Sequence, residues 1–188
     1  MLETATAIMQ AGATPSVSNV AEAAGVSRAT AYRYFPSEAA LIHAVVDEAL
    51  GPILNWKPGE GDAQSRVTDL LATSMPRIEE FEATFKAALK LSLDQWAKRQ
   101  ADTLGSEPQF TRGHRVDLLL DATAPLASKL SRPQHLRLAQ ALSLVFGLEV
   151  LVVLKDIWGL QSAEALDVAQ WAASALVKAA EAEASGAA

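Results

Sequence analysis

The stretch that decides the fold is residues 15–36, which read PSVSNVAEAAGVSRATAYRYFP. Ser16 is a good helix N-cap, because a serine hydroxyl can accept a hydrogen bond from an amide of the first turn. An apolar stripe with helical spacing follows it: Val17, Val20, Ala21 and Ala24. Gly25 can take the left-handed backbone that ends this helix, and Ser27 can cap a second helix, which Pro36 ends. The order of these signals predicts a helix-turn-helix.

The second of these helices carries side chains suited to reading DNA. It offers two arginines, two tyrosines and two small residues: Arg28, Ala29, Thr30, Tyr32, Arg33 and Tyr34. An arginine can bond guanine O6 and N7 together, and alanine or threonine methyl groups suit a thymine methyl. Serine, threonine and tyrosine hydroxyls donate to phosphate. Double-stranded DNA is therefore the expected partner, although tyrosines at helical spacing also occur in ordinary helical cores.

The rest of the chain favours helix throughout. No segment of useful length shows the alternation of a half-buried strand, and clusters of glycine and proline divide the chain into about nine helices. Residues 51–62 are expected to join two helices, while Pro76 and Pro125 are expected to kink or split theirs. We therefore expect an all-α protein, with an N-terminal three-helix domain at residues 1–46 and a larger helical bundle at residues 47–188.

Composition excludes several classes of protein. The 188 residues include no cysteine, which rules out a disulfide framework, a thiolate zinc site and a cysteine nucleophile. We find no glycine-rich phosphate loop and no metal-spaced pair of histidines, so we expect no enzyme, metal or other cofactor. The N-terminus lacks the features of a secretory signal, and the longest apolar run, residues 142–154, is too short to span a bilayer. We expect a soluble, cytoplasmic protein.

The charge balance argues against strong binding to nucleic acid. The net charge is −6, and residues 1–50 hold two arginines against five acidic side chains. Binding to DNA phosphates normally uses a basic surface. An alternative therefore stays open, namely a protein-interaction or sensor module whose DNA binding is weakened.

Residues 20–37, VAEAAGVSRATAYRYFPS, resemble the DNA-binding signature of the tetracycline-repressor (TetR) family. The resemblance implies an all-helical homodimer, usually a repressor, that leaves a palindromic operator when a small, largely apolar effector enters the larger domain. Four hydroxyl-bearing residues match the family's phosphate-contacting positions: Ser16, Ser27, Thr30 and Tyr34. Four others match its base-facing positions: Arg28, Ala29, Tyr32 and Arg33.

The sequence departs from this family at two places. Where the family commonly has a lysine that grips phosphate, this chain has Glu38, whose charge suits a helix N-terminus but cannot hold DNA. Members of the family often carry a short basic arm before the first helix, and the sequence here starts without one. We expect a longer native form to supply that charge.

The larger bundle is expected to sense an effector. Residues 81–96 hold aromatic and leucine side chains at near-helical spacing, which either form ordinary core or line a pocket. Our candidates for the pocket are Phe85, Leu89, Trp96, His114 and Asp121, with Gln95 and Arg99 as further polar candidates. His114, Asp117 and Asp121 also share one helix face that could hold a metal. Ion pairing with Arg112 and Arg115 explains the same charges, and we favour that explanation.

The last two helices are expected to form a dimer interface. Residues 133–158 look like one helix whose second half is apolar almost all round, and residues 166–180 carry an apolar stripe with small alanines. Two such helices from each subunit would make an isologous four-helix bundle. The expected interface residues are Leu142, Val145, Phe146, Val153, Ala169, Ala173 and Leu176. Burial within a single chain is the alternative explanation.

Overall fold

The computed structural model describes residues 1–105 and 113–186 of the chain. Within these ranges the secondary structure is helical, without any strand, which confirms the all-α prediction. The ten α-helices are α1 (Leu2–Gln10), α2 (Val17–Ala23), α3 (Arg28–Tyr34), α4 (Glu38–Leu54), α5 (Ala63–Glu80), α6 (Glu82–Gln100), α7 (His114–Thr123), α8 (Arg132–Leu142), α9 (Leu148–Leu151) and α10 (Ser162–Ala184). Of the helices in the described ranges, none combines the length and the apolar character needed to cross a membrane.

The described residues form two compact units. The first consists of Met1–Gly51 and the described part of Phe81–Thr111, and the second of Pro52–Glu80 and the described part of Arg112–Ala188. The helix-turn-helix therefore shares its unit with α6, a helix that the sequence analysis assigned to the larger bundle. A functional boundary between residues 46 and 47 stays a prediction.

The first unit is held together by apolar side chains from all its helices. α1 packs against α6, and Met9 and Phe85 are buried on these two helices. Leu41 of α4 is also buried, as are Val20 of α2 and Ala31 of α3. Because α2 and α3 each turn a narrow apolar face inward, their remaining faces are available for contact with another molecule.

The second unit is built around α5, which packs against both α7 and α10. Val67 and Leu71 of α5, Leu119 of α7 and Val177 of α10 are all buried. Burial of a side chain of this size stabilises a fold by about 1.5–3 kcal/mol relative to exposure.

The interpretation of residues 133–158 as one helix is wrong. α8 ends at Leu142, and the four-residue α9 then leads into a π-helical segment, Val152–Ile157. Gly147 lies in the break with φ of 115°, a backbone conformation that side chains rarely tolerate. The apolar run therefore contains two changes of helix geometry that its hydrophobicity did not indicate.

An arginine from α7 holds this break in place. Nη1 of Arg115 donates to the carbonyl oxygens of Ser143 and Phe146, at 3.2 and 3.1 Å. Its Nη2 pairs with the carboxylate of Glu149 at 2.8 Å. A Cβ atom on residue 147 would lie only 3.0 Å from Nη2. Arg115 thus satisfies carbonyls that the end of α8 leaves without helical partners, and it requires glycine beside it.

The prolines divide the helices less than expected. α4 continues through Pro52 to Leu54, and α5 continues through Pro76 without being split. Pro125 does mark an end, since it lies in a short 3-10 turn that follows α7. Burial of Met75 and Ile78 on either side of Pro76 shows how packing can keep a helix intact although one backbone hydrogen bond is lost.

Candidate nucleic-acid interface

The first helix of the helix-turn-helix begins at the cap that the sequence predicts. The Oγ of Ser16 accepts a hydrogen bond from the backbone N–H of Asn19 at 3.1 Å. Val17, Val20 and Ala21 are buried, so the predicted apolar stripe of α2 faces the core. Cap and stripe together fix the position and rotation of α2.

The turn between the helices is held by its own residues. Gly25 has φ of 67°, and the backbone N–H of Val26 donates to the carbonyl of Ala21 at 2.9 Å. Ser27 then caps α3, its Oγ accepting from the N–H of Thr30 at 3.2 Å. These local bonds place α3 directly after the turn, as the sequence predicts.

All eight residues predicted to contact DNA lie at or near the surface. Six are exposed, namely Ser27, Arg28, Ala29, Tyr32, Arg33 and Tyr34, whereas Ser16 and Thr30 are half-buried. Tyr32 is 47% exposed and Tyr34 is 65% exposed, which excludes the alternative that these rings form core. α3 therefore turns Ala31 inward and presents an array of hydroxyl, guanidinium and methyl groups outward.

Hydrogen bonds among these side chains determine which protons are free. Ser27 Oγ donates to Thr30 Oγ1 at 2.9 Å, so the hydroxyl proton of Thr30 remains available to an acceptor outside the protein. The Tyr32 hydroxyl lies 3.2 Å from the Oγ of Ser18 on α2. Sequence reasoning missed Ser18, because no spacing rule connects it with a residue of the next helix.

One arginine is oriented by its neighbour on α3. The guanidinium carbon of Arg33 lies 5.2 Å from the ring centre of Tyr34, within the range of a cation–π contact. The positive charge and the Tyr34 hydroxyl therefore occupy one part of the surface. Both groups can serve a phosphate, although the resemblance matches Arg33 to a base-facing position.

The surroundings of α3 are acidic. A hollow of about 640 Å³ beside the helix is lined by Met1, Leu2, Glu3, Val26, Thr30, Tyr34, Phe35 and Glu48. Its two carboxylates oppose the approach of a phosphate to Thr30 and Tyr34. Glu38 is exposed at the first turn of α4, a helix whose Ala40 N–H bonds to Ser37 Oγ. The groups of α3 that can donate to a phosphate are its hydroxyls, its first backbone amides and its two arginines.

The predicted effector residues are divided between the two units. Phe85 is buried, Leu89 is half-buried and Trp96 is 56% exposed, all on α6 of the first unit. His114 and Asp121 are exposed on α7 of the second unit. None of the five lines the hollows that we describe in either unit. An effector pocket formed by these five residues stays a prediction.

The metal alternative receives no support. Among the residues that the structure describes, no three histidine, aspartate or glutamate side chains come close enough to hold an ion. His114, Asp117 and Asp121 are all exposed on α7. Arg115, the neighbour of His114, pairs with Glu149 instead.

Four of the predicted interface residues need correction. Leu142, Phe146, Ala169 and Ala173 are buried within the single chain, so they belong to its own core and have no surface to offer. Val145 and Leu176 are half-buried, and Val153 is 45% exposed. The stripe of α10 that the sequence predicts thus faces inward.

A different set of apolar residues lies on the outside of the second unit. It consists of Leu144, Val153, Ile157, Trp158, Val168 and Trp171, which we call the apolar face. Trp171 is 74% exposed. Several members of the face also line an open groove of about 570 Å³ beside Arg115. The spacing of Val168 and Trp171, one helical turn apart, could have indicated an exposed apolar surface on α10. The prediction instead used the alanine stripe, which lies on the opposite side of this helix.

Comparisons with known proteins agree with this geometry. Residues 2–45 match the family model described as bacterial regulatory proteins, tetR family. A crystal structure of a TetR transcriptional regulator from Rhodococcus sp. RHA1 superposes with a TM-score of 0.62 at 21% sequence identity, covering 94% of this chain and 92% of that one. At that identity the likeness shows a shared fold. No curated protein matches the chain. Residues 2–45 therefore carry the DNA-binding helix-turn-helix of the tetR family of bacterial regulatory proteins, and the chain over its length has the fold of a TetR transcriptional regulator.

Proposed function

We propose that the chain is a homodimeric repressor that binds a palindromic operator with α3 of each copy and leaves it when a small, largely apolar effector binds. The observation that carries the proposal is the outward array on α3, a helix capped by Ser27, on which Arg28 and Tyr32 are exposed and Thr30 is half-buried. Exposed arginine and hydroxyl groups at the start of a short helix suit the edges and phosphates of a major groove.

The apolar face supports a second copy as the partner. Leu144, Ile157, Trp158 and Trp171 are each more than 70% exposed. Large exposed apolar patches on a monomer mark interaction sites, and aromatic residues dominate the energetics of such interfaces. A two-fold arrangement pairs the same face with itself and places two α3 helices on one symmetric operator.

A hollow in the second unit supports a small effector. It measures about 180 Å³ and is lined by Met75, Pro76, Glu79, Leu151, Ser162, Ala163 and Leu166. The lining is apolar except at Glu79 and Ser162, and Glu79 accepts hydrogen bonds from Lys155, at 3.1 Å, and from Ser162. A ligand at this place would touch α10, the helix that carries Val168 and Trp171 of the apolar face. Effector binding would therefore change the dimer contact.

The acidic surroundings of α3 favour the alternative, an interaction or sensor module with weakened DNA binding. The experiment that decides is selection of duplexes from a random-sequence pool by the full chain, followed by affinity measurements over a salt series. We expect an inverted repeat, two chains per duplex, and a shallow salt dependence because few phosphates are neutralised by charge. If the recovered duplexes share no common sequence and binding does not saturate, the chain is an interaction or sensor module and not a repressor.

The effector site is tested separately by filling its hollow. Leu166→Trp should abolish the rise in unfolding temperature that a binding compound from a library of small apolar molecules produces. Leu136→Trp, on α8 away from the hollow, is the matched control and should keep the response. A response that survives Leu166→Trp would place the effector elsewhere.

A further inference from the structure

A contact between α2 and α3 singles out Tyr32 among the side chains of the recognition helix. Its hydroxyl lies 3.2 Å from Ser18 Oγ, so one hydrogen bond joins the two helices of the motif at an exposed surface. We propose that Ser18 is a positioning residue for DNA readout, which holds the Tyr32 phenol in place before the operator arrives. The proposal rests on the proposed binding of an operator by α3.

Ser18 is suited to this task because its own position is fixed. It is the second residue of α2, between the capping Ser16 and the buried Val20. The cap bond and the buried stripe prevent α2 from rotating. The tyrosine, in contrast, is 47% exposed and has two side-chain torsions that could otherwise vary. Fixing those torsions in advance lowers the entropy that DNA binding must overcome.

The bonded pair offers a defined donor. Each of the two hydroxyl groups carries one proton, and one of these protons lies between the two oxygens. If Tyr32 donates to Ser18, the serine proton is directed outward, and if Ser18 donates, the phenol proton is. Either way the pair presents one O–H group to an acceptor, such as a phosphate oxygen or purine N7. Ser18 and Tyr32 therefore act as one recognition element.

A role in folding alone would give a different result. Both side chains are accessible to solvent, and water replaces an exposed hydrogen bond at little cost to stability. Removal of the Ser18 hydroxyl should leave the unfolding temperature nearly unchanged. Its effect should fall on DNA affinity and on discrimination between sequences.

The test is a double-mutant cycle on DNA that the wild-type chain selects from a random-sequence pool. Ser18→Ala and Tyr32→Phe should each weaken binding to the selected duplex by about three- to tenfold. The double variant should bind no more weakly than Tyr32→Phe alone, because Ser18 acts through the phenol. Across a panel of single base-pair changes, both variants should alter the relative affinities in the same pattern. Ser18→Thr keeps the hydroxyl and should restore both properties.

Asn19→Ala provides the matched control. Asn19 is exposed next to Ser18 on α2, and its effect should simply add to that of Tyr32→Phe. Additive losses from Ser18→Ala and Tyr32→Phe would overturn the proposal, because Ser18 would then contact DNA independently. Loss of affinity together with a clear drop in unfolding temperature would overturn it as well. If the wild type selects no sequence, operator binding itself fails and this proposal with it, whereas selection with additive variants removes only the role of Ser18.

Discussion

Residues 15–36 and residues 142–158 both join short helical segments through a glycine at positive φ, yet the two turns are determined in different ways. Gly25 has φ of 67°, and a Cβ atom there would meet nothing within 4 Å. Gly147 has φ of 115°, and a Cβ atom there would meet the guanidinium of Arg115. The first turn is closed by bonds within its own segment, and the second depends on a side chain from α7.

This difference explains why one region can be recognised from its sequence and the other cannot. Caps, stripe and glycine lie within a single stretch in the first turn, so their order is readable along the chain. The second turn uses an arginine that is distant in sequence and an apolar run that looks like one helix. Tertiary contact has overridden the local pattern there.

The largest expected effect tests whether the apolar face, which includes Val153 of the second region, forms the dimer interface. Val153→Asp combined with Trp171→Glu should raise the dimer dissociation constant by at least about a hundredfold, since buried interface anchors contribute about 2 kcal/mol or more each. Sedimentation velocity over a concentration series measures this. Trp96→Glu, which replaces another exposed tryptophan on α6, is the control and should leave dimers intact. An unchanged dissociation constant in the double variant would exclude the apolar face as the interface.

The second prediction compares the two glycines directly. Gly147→Ala should lower the free energy of unfolding by about 2–4 kcal/mol, because strain at positive φ is joined by overlap with Arg115. Gly25→Ala meets only the strain and should lose about 1 kcal/mol. Chemical denaturation of both variants gives the two values. Equal losses would show that Arg115 moves aside and that the second turn is as local as the first.

The features that could be predicted from the sequence are those determined by residues close together in the chain. The helical class, the caps at Ser16 and Ser27 and the outward face of α3 follow from local rules and agree with the structure. The inward orientation of the α10 alanines could not be predicted, because a stripe of small residues suits a core and an interface equally well. The hydrogen bond between Ser18 and Tyr32 could not be predicted either, because it depends on how α2 and α3 cross.

The third prediction concerns the two exposed arginines of α3. Arg28→Ala should weaken binding to the selected operator by about 1–3 kcal/mol and binding to random DNA much less, if the side chain reads a base through two hydrogen bonds. Arg33→Ala is the matched variant, and because Arg33 lies against Tyr34, it should weaken binding to both DNAs similarly. Competition titrations with the two DNAs provide the ratio. If Arg28→Ala weakens binding to both DNAs equally, Arg28 contacts a phosphate and not a base.

The smallest expected effect contrasts the caps of α2 and α3, in the first region, with the cap of α5. The caps of α2 and α3 are serine hydroxyls, which do not titrate, whereas α5 begins after Asp62, whose Oδ1 accepts from the N–H of Ser65 at 2.8 Å. That backbone hydrogen bond, aided by the Ser65 side chain, holds the pKa of Asp62 below its ordinary value of 3.8. Because the folded pKa is the lower one, ionised Asp62 stabilises the fold above the unfolded value, and this contribution is lost as the pH falls through the folded value.

Asp62→Ala should therefore lower the unfolding temperature slightly at pH 7, and the gap from the wild type should shrink between about pH 5 and pH 2. Ser16→Ala removes a neutral cap, so its gap should stay constant over the same range. Asp62→Asn keeps an accepting oxygen without the charge and separates the hydrogen bond from the ionisation. A gap for Asp62→Ala that does not change with pH would mean that Asp62 stabilises α5 through its hydrogen bond and not through its charge. The cap of α5 would then act in the same way as the serine caps of α2 and α3.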